Sequence, residues 1–90
     1  MSDVVDNPAR HRFELEAEGE TAFAAYTRAD GIITFTHTIV PPALEGRGIG
    51  SRLVRSALDL VRQQGLKVMP QCPFVKAYIE RHEELQDLLA

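Results

Sequence analysis

Ninety residues leave room for one domain around one core. Domains of this size bury only roughly 60–65% of their unfolded surface, so stability margins are thin. A hydrophobic share of 44%, a charged share of 26% and a net charge of −3 describe an ordinary globular chain and exclude the basic surface that non-specific nucleic-acid binding needs. The single cysteine allows no internal disulfide and suits a reducing cytosol, so a cytoplasmic setting is expected. No apolar run approaches the ~18–20 residues needed to cross a bilayer, and no membrane partner is expected. Met1-Ser2-Asp3-Val4-Val5-Asp6 has no basic stretch followed by an apolar one, so no secretory signal is expected.

Residues 1–10 are polar and end in Asn7-Pro8-Ala9-Arg10. They are expected to form a flexible segment ahead of a single domain over 11–90. From Arg12 the pattern alternates: Phe13, Leu15 and Ala17 point one way, Arg12, Glu14, Glu16 and Glu18 the other. That predicts a half-buried first strand with one wet face. Gly19-Glu20 turns the chain into a second strand, Thr21–Arg28. Asp30-Gly31 is a hairpin signal, because glycine tolerates positive φ. The third strand, Ile32–Val40, is rich in β-branched residues and apolar or small on both faces, which predicts a central position.

Pro41-Pro42 ends that strand, since proline has no N–H for the ladder. A glycine-rich loop follows, then a helix from about Gly48 to Gln64. Ile49, Leu53, Val54, Ala57, Leu58 and Val61 form its apolar stripe, and Gly65 is placed to stop it. Leu66–Met69 reads as a fourth strand, making a βαβ unit whose strands should pair in parallel. A last helix is predicted over Pro73–Arg81, with a further turn or two over Glu83–Leu89.

The loop Glu45-Gly46-Arg47-Gly48-Ile49-Gly50-Ser51 delivers alternating glycines into a helix N-terminus. Backbone N–H groups there, together with the positive helix end, attract anions. A Walker A loop is excluded because no lysine follows Gly50. A Rossmann fingerprint is excluded because Ser51 stands where its third glycine belongs and the loop follows an antiparallel meander. A ligand-free βα turn would show the same spacing.

The loop resembles the Q/R-x-x-G-x-G/A acyl-CoA motif of the GCN5-related N-acetyltransferases, with Glu45 departing from its first position. The stretch Gly65–Ile79, carrying Pro70-Gln71-Cys72-Pro73-Phe74, is similar to the second motif of that superfamily's small branch of about ninety residues. The resemblance covers Phe13–Leu89. It implies an α/β (α+β) fold: a three-strand antiparallel meander, a βαβ unit with a splayed parallel pair, and a C-terminal helix.

It further implies that acetyl-CoA (coenzyme A) is bound and that an acetyl group passes to an amine of unidentified structure, small molecule or protein. Backbone groups of Thr38, Ile39 and Val40 would pair with the pantetheine arm. The segment Glu45, Gly46, Arg47, Gly48, Ile49, Gly50 and Ser51 would hold the pyrophosphate, with Arg52, Cys72 and Phe74 beside it. Arg47, Arg52 and Arg55 are candidates for the phosphates, since guanidinium forks match phosphate oxygens; a solvated helix face is the alternative. The superfamily usually carries a strand and two helices ahead of the meander. About a dozen residues precede Phe13 here, so the acceptor site is open, supplied by a partner subunit, or absent.

Three side chains are candidates for chemistry. Cys72 precedes Pro73, and a thiol at a helix N-terminus gains thiolate character. It is a candidate nucleophile for the acyl group, or else a buried core cysteine. His37 lies three residues before Val40, and simple alternation puts it on the face of Phe35 and Ile39. From there it could reach the cleft as a general base, or be a satisfied strand histidine. Tyr78 could protonate the departing thiolate, as a tyrosine does in many relatives, or be core with a wet tip. No histidine or cysteine pair has metal-ligand spacing, and no metal is expected.

Direct attack of the amine on the thioester is the expected route, with a covalent Cys72 intermediate as its variant. An acyl-CoA-binding module with little or no transfer is the competing function, and a scaffold or dimerisation domain a third. A monomer or homodimer is expected, since the meander leaves an edge open.

Overall fold

The alternation that starts at Arg12 organises a sheet with one buried and one open face. In the computed structural model, which describes residues 3–90, five strands run in the order β1 (Val4–Asn7), β2 (Arg12–Ala17), β3 (Glu20–Ala29), β4 (Ile32–Ile39) and β5 (Lys67–Pro70). The first four pair antiparallel as a meander, and β5 joins β4 in parallel. Helices α1 (Ile49–Gln63) and α2 (Pro73–Arg81) carry the crossover and the C-terminal layer, and a 3-10 segment follows over Glu83–Leu88. Among the described residues no helix is long and apolar enough to cross a membrane.

Phe13 and Leu15 of β2, Ala22, Ala24 and Tyr26 of β3, and Ile33 and Phe35 of β4 are buried beneath the helices. The α1 stripe of Leu53, Val54, Ala57, Leu58 and Val61 completes one continuous core with Val75 and Ile79 of α2. Small Ala22 and Ala24 let α1 lie close to β3. The helix ends at Gly65, whose N–H reaches the Arg62 carbonyl at 3.0 Å, while the Leu66 N–H reaches the Val61 carbonyl at 3.1 Å. That is the Schellman pattern, and it aims Leu66 back into the core. Arg62 then fastens the C-terminal segment with a fork onto the Asp87 carboxylate at 2.7 and 2.9 Å.

The segment over 1–10 expected to be flexible is corrected by the structure. Val4–Asn7 pairs with β2 from Val4↔Leu15 to Asn7↔Arg12, and Val4 is buried; residues 1–2 of that expectation lie outside the described residues. A four-residue strand with one inward side chain has little periodicity to detect. What fixes it is remote: the Tyr26 hydroxyl donates to Asp6 at 2.6 Å from twenty positions downstream. The meander therefore has four strands, and the folded domain begins before residue 11.

Candidate active site

Pairing of β4 with β5 runs from Ile32↔Lys67 to Phe35↔Pro70. One further backbone bond, from the Cys72 N–H to the Phe35 carbonyl at 2.9 Å, holds the strands together. Beyond it they part. Pro70 and Pro73 lack the N–H groups that would continue a ladder, and the chain turns into α2. The edge of β4 past Phe35 has no strand paired to it among the described residues. Across this splay the Thr38 hydroxyl lies 3.4 Å from the Cys72 sulfur.

The glycine loop stands at the end of the splay. Gly46 and Gly48 have φ of 80° and 71°, a left-handed conformation that side chains disfavour, and a Cβ on either would meet nothing within 4 Å. Helix α1 starts at Ile49, and its first backbone bond runs from the Arg52 N–H to the Gly48 carbonyl at 3.0 Å. The amides of Ile49, Gly50 and Ser51 therefore precede the helical ladder. No side chain caps them and no acidic residue stands in the first turn. They open on a groove of about 210 Å³ lined by Val40, Leu44, Gly46, Gly48, Gly50 and Phe74, among others. Amides without an intrahelical acceptor, with no acidic residue in the first turn, make this end of α1 electropositive.

Gly50 plays a different part from its two neighbours. A Cβ there would sit 3.0 Å from Cζ of Phe74 and 3.4 Å from Cγ2 of Val40. The segment leaving β4, helix α1 and helix α2 thus converge on one hydrogen atom, with Phe74 lining the groove.

Glu45, Gly46, Gly48, Ile49, Gly50, Ser51, Val40 and Phe74 all meet at this groove. Arg47 and Arg52 flank the loop but are already engaged: Arg47 pairs with Glu18 of the β2–β3 turn, and Arg52 with Asp3 at 2.8 Å. Arg55 faces α2 and the C-terminal segment, where it bonds Glu84 at 3.2 Å. Its charged form is reinforced first by that carboxylate and then by the Tyr78 hydroxyl. Tyr78 itself stacks on His82 with ring centroids 4.1 Å apart, and its carbonyl lies 2.7 Å from the His82 Nδ1. Tyr78 is thereby drawn towards Arg55 and His82. Cys72 is a core residue at 4% exposure that caps α2 through its backbone carbonyl, which accepts from the Lys76 N–H.

The expected face of His37 is corrected. The β3–β4 register pairs Tyr26 with Phe35 but Ala25 with His37, so Thr36 is an extra residue, and its hydroxyl bonds the Ala25 carbonyl at 3.3 Å. This bulge reverses the alternation. Phe35 points into the core and half-buried Thr38 to the same side, opposite Ala24 and against Cys72, while His37 and Ile39 point out to the open face of the sheet. His37 therefore does not share a face with Phe35 or Cys72. Sequence reading also missed Leu44, the apolar residue that floors the groove, although an isolated leucine between Pro42 and the glycines was a usable signal. It missed the carboxylates of Glu18 and Asp3 because nothing local links them to the loop.

The sequence model described as GCN5-related N-acetyl-transferase matches residues 12–88. The chain belongs to this family. The fold agrees: a GCN5-like protein from Staphylococcus aureus, solved in solution, superposes with a TM-score of 0.73 at 26% identity over 100% of this chain and 91% of that one. Protein NATD1 of Gallus gallus is 37% identical over 51 residues, and Protein NATD1 of Homo sapiens likewise. Those matches cover 57% of this chain and 46% and 45% of the two relatives, so the chain spans about half the length of the curated relatives it matches.

Proposed function

We propose that the chain is an acetyl-CoA-dependent N-acetyltransferase acting on a primary amine. The observation that carries this reading is the continuity of the β4–β5 splay with the uncapped amides of α1. The bare edge of β4 at Thr38, Ile39 and Val40 supports an extended arm paired like an added strand. The amides from Gly46 to Ser51 support a pyrophosphate, and Arg47 and Arg52, which flank the loop, could add charge by leaving their carboxylate partners. Acetyl-CoA supplies an activated thioester carbonyl. Free β4 N–H groups beside the splay would polarise that carbonyl oxygen, and His37 on the open face would take a proton from the ammonium so that the neutral amine attacks; the new C–N bond forms as the C–S bond breaks, and CoA leaves as a thiolate that takes its proton from solvent. One buried thiol and no disulfide partner support a reducing, cytoplasmic setting.

Calorimetric titration with acetyl-CoA tests the ligand, and mass spectrometry after incubation with acetyl-CoA and an amine panel tests the reaction. Binding in the micromolar range with acetylated product is expected. Absence of binding at millimolar acetyl-CoA would overturn the reading.

A second reading is a module that binds acyl-CoA with little transfer. It is favoured by the burial of Cys72 and by the engagement of Tyr78 with His82 and Arg55. Tight binding with no acetylated amine would select it.

A further inference from the structure

The end of the sheet away from the splay holds a second cavity, of about 430 Å³ against about 210 Å³ for the groove at the glycine loop. It lies where the β1–β2 connection meets the β3–β4 hairpin. Pro8, His11, Tyr26, Arg28, Ala29 and Asp30 line it, and none of them takes part in the transfer chemistry proposed above. Strand β4 begins beside this cavity at Ile32 and runs past the splay to Ile39. Eight residues of strand at ~3.3 Å each put the two sites roughly 25 Å apart.

The walls are tied together by the backbone. Pro8–Arg10 forms one 3-10 turn, closed by the His11 N–H on the Pro8 carbonyl at 3.1 Å. The His11 carbonyl then accepts the Tyr26 N–H at 2.9 Å, which fastens the turn to β3. His11 has a φ of 54°, a left-handed conformation uncommon for a residue with a side chain. Its ring meets the Tyr26 ring edge-on, with centroids 6.4 Å apart. The Tyr26 hydroxyl proton is already given to Asp6. Arg28 donates to the neutral Gln64 side chain at 3.4 Å. Among the described residues neither Arg28 nor Asp30 forms an ion pair, with each other or with any other group. The cavity thus presents one cation, one anion and two rings.

We propose that this cavity is a second ligand site, and that its ligand is a small zwitterion of the α-amino-acid class with an apolar side chain. The two opposite charges select for it. A simple anion drawn to Arg28 would be repelled by Asp30, and a simple cation drawn to Asp30 would be repelled by Arg28. A ligand carrying both charges satisfies both. The guanidinium fork donates two hydrogen bonds to its carboxylate, and the Asp30 carboxylate accepts from its ammonium. Pro8, Ala29 and the rings of His11 and Tyr26 are left for the side chain. The volume falls within the range of small-molecule sites, about 300–1,000 Å³. The distance to the splay keeps this ligand away from the reacting thioester, so it is not the acceptor. The inference stands whether or not acetyl-CoA is the donor.

The probe is L-phenylalanine, titrated into isotope-labelled protein without acetyl-CoA. Saturable amide shifts at His11, Arg28, Asp30 and Gly31 are expected. N-acetyl-L-phenylalanine lacks the ammonium and L-phenylalaninamide lacks the carboxylate; each is expected to bind about tenfold more weakly. Asp30→Asn removes the charge and keeps a residue that suits the hairpin turn, while Arg28→Gln removes the fork. Each is expected to weaken L-phenylalanine binding about tenfold, with well-dispersed spectra showing that the fold is kept. If Arg28→Gln loses the fold, Asp30→Asn alone decides. Absence of saturable shifts at tens of millimolar would overturn the inference. So would shifts centred on residues 38–51, equal binding of the two capped forms and L-phenylalanine, or an Asp30→Asn variant that binds as the parent does.

Discussion

The Thr38 hydroxyl and the Cys72 thiol face each other at 3.4 Å across the gap between β4 and α2, with Cys72 only 4% exposed. The sulfur is thus held in the core by a neighbour from the opposite wall and by the packing around it. Cys72→Ala is expected to leave acetyl transfer within about twofold of the parent and to lower stability by about 1 kcal/mol, the loss of a small buried group. Steady-state kinetics and chemical denaturation read the two effects. Abolished turnover in a variant that still folds would establish the covalent route.

At Gly50 the contact distances make a sharper prediction. Alanine gains helix propensity of about 1 kcal/mol, but its methyl would press on Phe74 at 3.0 Å. Phe74 is 43% exposed, so its ring can swing rather than unfold the helix. Gly50→Ala is therefore expected to keep overall stability within about 1 kcal/mol while weakening acetyl-CoA binding about tenfold, because the displaced ring enters the groove. The double variant with Phe74→Ala is expected to recover most of that affinity. Equal losses in the single and double variants would show that the ring is not the cause.

The sequence reading went furthest where one residue type performs one local task. Asp30-Gly31 gave the hairpin, the α1 stripe gave the helix to within a residue at each end, and Pro73 gave the start of α2. The loop was legible as a turn into a helix, because Gly46 and Gly48 take the positive φ that other residues avoid just ahead of α1. The reading failed where a distant partner decides. Val4–Asn7 is a strand because β2 and Tyr26 are there to receive it. His37 faces outward because one extra residue at Thr36 shifts parity, and Thr34-Phe35-Thr36-His37-Thr38 alternates too evenly to show which residue will bulge. A period-two pattern assigns a face only relative to an unbroken register.

The pair between Arg47 and Glu18 sets a competition at the loop, since the same guanidinium is a candidate for phosphate. Both side chains are more than half exposed, at 52% and 61%, so the pair contributes little, roughly 0.2–1 kcal/mol. Glu18→Gln is expected to strengthen acetyl-CoA binding about 1.5- to 5-fold at low salt, with the gain shrinking as ionic strength rises. Calorimetry at two salt concentrations measures it. Weaker binding in the variant would mean that the pair positions the loop instead of competing for Arg47.

The bond from Tyr26 to Asp6 makes the stability of the N-terminal strand depend on pH. Burial first, and then the Asp6 carboxylate that accepts the hydroxyl proton at 2.6 Å, hold the phenol well above its ordinary value of 10.0. Below pH 10 the folded and unfolded chains both keep the proton, and the contact contributes fully. Above pH 10 the unfolded chain releases it while the folded chain does not. Stability then falls as pH rises, by up to about 1.4 kcal/mol per pH unit, until the folded phenol also ionises. Tyr26→Phe is expected to cost about 2 kcal/mol at neutral pH, the range for a hydrogen bond to a charged group, and to remove this alkaline component. Denaturation at pH 8 and pH 11 measures the difference between the two proteins. A gap that stays constant across that interval would show that the phenol titrates as it does in the unfolded chain.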